Sequence, residues 1–236
     1  MKKIISGLLL ILLVLGISTA CSHEEKTESS DLISPEAVEE IVPEPPYTNP
    51  DLDYLVLVDK SHPLPDGWEE TIEVEQFTNA VGDNVKVEKT AYEAYLKLKD
   101  ALEQEGVYVD LDSAYRSVAE QQKIVDDFTE KYGADYARTY AAVPGYSEHH
   151  TGLALDLFLI VDGNIVYENE DLMQYPEIWE KIHARLTDYG FILRYPGGGG
   201  YAYEPWHIRY VGIDVAKEIE DKGSTFEEYL RSREND

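Results

Sequence analysis

Cysteine is nearly absent from this chain: there is one, Cys21, in 236 residues. That excludes an intramolecular disulfide framework and any zinc site built on several thiolates, so a metal held here must rest on histidine and carboxylate. Basic residues are scarce as well, with 20 Lys and Arg against 47 Asp and Glu and a formal net charge of −27. Such an acidic chain repels phosphate backbones, which excludes nucleic acid as the main partner. What remains, 43% hydrophobic residues at a mean hydropathy of −0.37, suits one globular domain with appendages.

The apolar run IISGLLLILLVLGI at 4–17 follows Lys2 and Lys3 and leads into Ser18, Thr19 and Ala20. It is shorter than the roughly 20 residues a spanning helix needs and has the length of a signal-peptide apolar core. Small residues running into Cys21 resemble the lipobox of bacterial lipoproteins, whose thiol is acylated; Ser18 stands where leucine is usual. The expectation is a signal peptide over 1–20 and a lipid anchor at Cys21. That would place the protein on the outer face of a bacterial cell membrane, or secreted to the envelope. Residues 21–50 are rich in Glu and Ser, carry Pro35, Pro43, Pro45, Pro46 and Pro50, and are poor in aromatics. They cannot bury enough apolar surface to offset their ordering entropy, so a disordered tether is expected.

Residues 51–236 mix helical periodicity with short apolar runs, which points to an α+β fold: a small antiparallel sheet flanked by helices in a single domain. LVLV at 55–58 reads as a strand. Ala91, Ala94, Tyr95, Leu98, Ala101 and Leu102 predict a helix over 90–104 that Gly106 stops. Ser117 and Glu120 form a capping box opening a helix to about residue 132, with Ile124, Val125 and Phe128 facing inward. Strands are expected at 153–160 and 165–167, joined across Asp162-Gly163-Asn164. Ile178, Ile182 and Leu186 define a further helix ending at Gly190. Strands at 191–195 and 207–211 flank a glycine loop at 197–200.

Chemistry concentrates in three segments. In SEHHTGLALD (147–156) a polar loop with two histidines feeds an apolar strand interrupted by Asp156. A buried carboxylate must pair with a cation, cap a backbone group or bind a metal. In EPWHIR (204–209) Glu204 stands three residues before His207, a spacing compatible with metal-assisted hydrolysis and equally with chance in so acidic a chain. In SAYRSVAEQ (113–121) Arg116 stands at a loop-to-helix junction, where its fork suits a carboxylate ligand or an ordinary surface ion pair.

Taken in order, S-A-Y-R-S-x-x-x-Q, S-x-H-x-x-G-x-A-x-D, G-F-I-L-R-Y-P and E-P-W-H-I-R-Y-V-G resemble the VanY-type D-alanyl-D-alanine carboxypeptidases and their LD-carboxypeptidase relatives. The resemblance covers residues 81–212 and is weaker near 55–68. It implies a zinc carboxypeptidase that removes the C-terminal D-alanine from peptidoglycan stem peptides. By position it makes His149, Asp156 and His207 the zinc ligands, Glu204 the general base and Arg116 the clamp for the substrate carboxylate. Ser147, Tyr115 and Gln121 would line the substrate pocket, and His150 is a neighbour of the metal and not a ligand. His23, His62 and His183 carry no role. A monomer is expected, with stem peptides and, through the anchor, the membrane as partners. A D-Ala-D-Ala dipeptidase would share the zinc residues, and a non-catalytic cell-wall-binding lipoprotein would share the leader and tether. Whether the bond is D-Ala-D-Ala or L-Lys-D-Ala depends on pocket shape upstream of the clamp.

Overall fold

A two-residue period resolves the aspartate inside LALDLFLI. In the computed structural model, which describes residues 49–198 and 201–234, this segment is the central strand of a five-stranded antiparallel sheet. Successive side chains of a strand face opposite ways. Leu155, Leu157 and Leu159 therefore enter the larger core while Asp156 turns to the other face. The expected signal peptide, Cys21 and the tether through residue 48 lie outside the described residues.

The chain first forms a hairpin of β1 (Val74–Thr78) and β2 (Asn84–Glu88), then α1 (Lys89–Gln104). Helix α1 starts where the Glu88 side chain accepts the Ala91 N–H, and it buries Ala91, Ala94, Tyr95, Leu98 and Leu102, the stripe the periodicity predicts except for Ala101, which is half-buried. β3 (Val109–Ser113) follows, then α2 (Val118–Tyr132), opened by the expected Ser117/Glu120 capping box, and α3 (Ala134–Tyr140). The central strand, β4 (Ala154–Val161), turns across Asp162 and Gly163, both at positive φ, into β5 (Asn164–Val166). Asn164 pairs with Val161, so the turn has two residues and Asn164 belongs to the strand.

After α4 (Asn169–Leu172) and α5 (Pro176–His183) come β6 (Phe191–Leu193), β7 (Pro196–Gly198), β8 (Tyr201–Tyr203) and β9 (His207–Tyr210). The chain closes with α6 (Ile213–Lys222) and α7 (Phe226–Arg233). The sheet runs β3-β4-β9-β6, with β5 against the far end of β4. A second, smaller core joins Ile192 and Val211 to Ala216, Ile219, Phe226 and Tyr229 of the last two helices. This is the expected α+β arrangement of helices around a small antiparallel sheet.

Several local expectations are corrected. LVLV at 55–58 is not a strand: Val56 and Val58 are buried, but the Tyr54 and Val56 carbonyls accept hydrogen bonds from the Arg209 guanidinium instead of a partner strand. Ile124, Val125 and Phe128 are only half-buried, and Gln121 is the buried residue of α2, because this helix borders a cavity. The helix expected to run to Gly190 ends at His183, and a 3-10 turn, Leu186–Tyr189, carries the chain on. At Gly190, with φ 80, a Cβ would lie 2.8 Å from the Tyr210 ring, so only glycine fits. The expected glycine loop contributes residues to the β7–β8 pair.

Candidate metal centre

Strand register assembles the site. β4 and β9 pair antiparallel with Asp156 directly opposite His207, and opposed residues share a face with Cβ atoms about 5 Å apart. His149 comes from a one-turn 3-10 helix, Glu148–Thr151, immediately before β4. That turn closes at Gly152, with φ 74, where a Cβ would stand 3.0 Å from the Glu88 Cβ. His149 Nε2 lies 3.1 Å from Asp156 Oδ2, and His207 Nδ1 lies 2.9 Å from Asp156 Oδ1. One ligand atom from each of the three residues falls within 4.8 Å of the others.

The hydrogen bonds on the far side of each imidazole decide which nitrogen faces inward. His149 Nδ1–H donates to the Ala114 carbonyl at 2.7 Å, leaving Nε2 toward Asp156. His207 Nε2–H donates to Glu148 Oε2 at 2.9 Å, leaving Nδ1 toward Asp156. Asp156 Oδ1 is buried and has no hydrogen-bond partner, although His207 Nδ1 is near it. A buried acceptor between two inward-facing ring nitrogens is a donor set that fits a cation, and two imidazoles with one carboxylate suit zinc. Burial pushes the Asp156 carboxyl up, but the two histidines outweigh it and hold it well below the usual carboxylate range. Against its own burial, His207 is raised to about 10 by Asp156 and Glu148.

Glu204 stands at the edge of this cluster, its Oε2 4.0 Å from His207 Nδ1. The turn carrying it is held by Glu204 N–H to the Tyr195 carbonyl, His207 N–H to the Glu204 carbonyl, and His183 Nε2–H to the Pro205 carbonyl. Burial raises the Glu204 carboxyl above its ordinary value, with His207 opposing.

Arg116 lines a cavity together with Asp156. Its guanidinium donates to Gln121 Oε1 at 2.6 Å and Ser113 Oγ at 3.0 Å. Among the described residues no carboxylate lies within ion-pair distance of it, although burial lowers its pKa. It opens into a cavity of about 340 Å³ lined by Asp112, Gln121, Phe128, Asp156 and Trp206. Gln121 is thus brought to the cavity, where its amide also donates to the Ala142 carbonyl. Two expected pocket residues are not: Tyr115 turns toward Glu69, and Ser147 is buried at the start of the 3-10 turn. His150 is fully buried, donating to the Arg116 carbonyl and accepting from Gly145 N–H, so it braces the loop. A larger opening of about 1030 Å³, bordered by Leu55, Asp59, Tyr195, Tyr201 and Arg231, holds none of the triad. The donors, and not the volume, locate the chemistry.

Sequence reading assigned no role to Glu148, Arg194 or Arg209. Glu148 Oε1 accepts from Arg194 Nε and Arg209 Nη1, each at 2.8 Å, and all three side chains are at most 1% exposed. Arg209 follows His207 by two residues on a strand and so shares its face, a signal that period two makes readable. Nothing local marks Glu148 or Arg194.

Residues 84–213 match the family model described as VanY, D-alanyl-D-alanine carboxypeptidase. The chain belongs to the VanY family. A D-alanyl-D-alanine carboxypeptidase of Enterococcus faecalis is 35% identical over 191 residues, which cover 75% of this chain and 66% of that protein, just under two thirds of its length. The zinc(II) complex of a variant of the vancomycin resistance D,D-pentapeptidase VanY, from a VanB-type cassette, aligns at TM-score 0.61 and 33% identity over 75% of this chain and 98% of the other. The LD-carboxypeptidase LdcB aligns at TM-score 0.65 and 33% identity, over 75% and 86%. The span matched to the VanY family holds the triad, Glu204 and Arg116, whereas Tyr54, Val56 and Glu227 lie outside it.

A metal ion at this site must displace the proton that His207 retains up to about 10. Zinc affinity is therefore expected to climb as pH rises toward that value, with about one proton released per ion bound. Calorimetric zinc titrations in buffers of different ionisation heat measure the release; a pH-independent affinity without proton release would contradict the assignment.

Proposed function

We propose that this protein is a zinc carboxypeptidase that removes the terminal D-alanine from peptidoglycan stem peptides. The observation that carries the reading is that one cavity is lined both by the ligand Asp156 and by Arg116, a largely buried guanidinium with no carboxylate within ion-pair distance among the described residues. A ligand that brings its own carboxylate completes that arginine, and a free C-terminal carboxylate does so through two parallel hydrogen bonds.

His149, Asp156 and His207 would hold the zinc. Bound there, zinc supplies a Lewis acid for the scissile carbonyl and lowers the pKa of water. Glu204, held beside the triad by its turn and shifted toward the protonated form by burial, takes the proton of the attacking water and returns it to the leaving amine. Arg116, braced by Gln121 and Ser113, fixes the peptide terminus and sets the last peptide bond opposite Glu204. The same clamp restricts cleavage to the end of the chain.

Glu204→Gln is expected to bind zinc as the parent does, because the group is nearly isosteric and holds no metal, while D-alanine release falls by ~10²–10⁴. Zinc content measured beside D-alanine release checks both halves, and a zinc-replete, active variant would reject the mechanism. For Arg116, C-terminally amidated stem peptide is expected to be a poor substrate, and Arg116→Lys to lose most activity because a point charge cannot reproduce the fork. Equal cleavage of amidated and free peptides, followed by mass spectrometry, would remove the exopeptidase assignment.

We further propose that the protein works at the outer face of a bacterial membrane, anchored through Cys21, with residues 21–50 as the spacer. The support is the charged start, the 4–17 apolar run and the small residues before the cysteine. Cys21→Ala is expected to shift the protein from the membrane to the soluble fraction of fractionated cells. Unchanged membrane retention of the Cys21→Ala chain with its N-terminal segment removed would exclude lipidation.

A further inference from the structure

We propose that Glu148 is the positioning residue of the metal centre: its carboxylate, locked by two buried arginines, fixes His207 with Nε2 protonated and Nδ1 turned to the metal. The inference rests on the zinc reading of the triad and adds a part the ligands themselves do not supply.

The two oxygens of Glu148 divide their partners. Oε1 takes both arginines, Arg194 through Nε and Arg209 through Nη1, whereas Oε2 takes His207 Nε2 at 2.9 Å. A carboxylate present only to neutralise arginines has no need to keep one oxygen for an imidazole. Without the histidine, Oε2 would be a buried acceptor lacking a strong donor, a costly arrangement. The arginines are anchored in turn. Arg209 donates to the Tyr54, Val56 and Tyr210 carbonyls, and Arg194 Nη2 donates to Glu227 on α7 at 2.7 Å. With each guanidinium tied on several sides, the carboxylate between them has one orientation, and so has the ring it holds.

The tautomer follows. Neutral imidazole carries one proton, and with a cation shared by Nδ1 and Asp156 that proton stays on the nitrogen facing away from the cation, against Glu148. Nε2–H is therefore held at Glu148, and the lone pair is left on Nδ1, the atom 2.9 Å from Asp156 Oδ1. A carboxylate behind a ligating histidine orients the ring and raises its basicity, and removing such a partner typically weakens metal binding by ~10–100-fold.

The test is zinc affinity of the full chain by competition with a chromophoric chelator. Glu148→Gln is expected to weaken zinc binding by ~10–100-fold. Glu130→Gln, an exposed carboxylate of α2 with no part in this arrangement, is expected to match the parent. A folded Glu148→Gln chain with parental affinity overturns the role of Glu148 alone, while a parent chain that binds no zinc overturns the metal reading with it. Should Glu148→Gln fail to fold with its arginines half neutralised, long-range nitrogen-15 NMR of the zinc-loaded parent decides. A protonated Nε2 and a metal-bound Nδ1 on His207 support the proposal, and coordination through Nε2 rejects it.

Discussion

The pairing register of β4 with β9 is the constraint on which the site depends. Asp156 opposes His207, and a slip of one residue would carry one of them to the opposite face of the sheet. Leucines at 155, 157 and 159 oppose that slip, because the same step would expose three core side chains and draw Asp156 into the apolar interior. Hydrophobic burial on one face thereby sets the metal geometry on the other. β3 extends the arrangement sideways: Ser113 sits opposite Asp156 past a bulge and accepts from Arg116, so the strand beside β4 carries a partner of that guanidinium.

A second theme is how the fold distributes charge. The chain is acidic overall, yet the groups behind the metal site form a nearly neutral set, with Arg194 and Arg209 facing Glu148 and Glu227. Burial favours the uncharged form of each, and the mutual attraction outweighs that for Glu148, whose carboxyl is held well below the usual range. Arg116, by contrast, has only neutral hydrogen-bond partners among the described residues, Gln121 and Ser113. The charges behind the triad are paired at hydrogen-bond distance, whereas Arg116 opens into the cavity beside Asp156.

The same contacts explain why segments beyond the family span matter to the fold. The chain around 54–56 gives its carbonyls to Arg209 in place of a strand partner, and α7 gives Glu227 to Arg194. Phe226 lies under both guanidiniums, at 5.4 and 5.1 Å from the ring centroid. Both ends of the domain thus close over the arginines that hold Glu148.

Helices with long apolar stripes and marked caps, such as α1 and the capping box of α2, were legible in sequence because local interactions decide them. The resemblance of the ordered motifs to the VanY-type carboxypeptidases, and not their spacing alone, named the triad, Glu204 and Arg116. Short elements such as β1, β2 and β7 were missed although each pairs with its neighbour in a hairpin, because a few residues carry too little periodicity to mark a strand; LVLV was misread because its carbonyls are taken by the distant Arg209. Glu148 stood in plain view beside His149 and said nothing, as one acid among 47 Asp and Glu. Its importance lies in contacts to residues 46, 59 and 61 positions away. Sequence by itself determined which side chains are available and the local periodicities that turn them inward or outward. Only the tertiary structure decided which nitrogen of His207 faces the metal, which arginine is paired and which is free, because those depend on through-space contacts that sequence spacing does not encode.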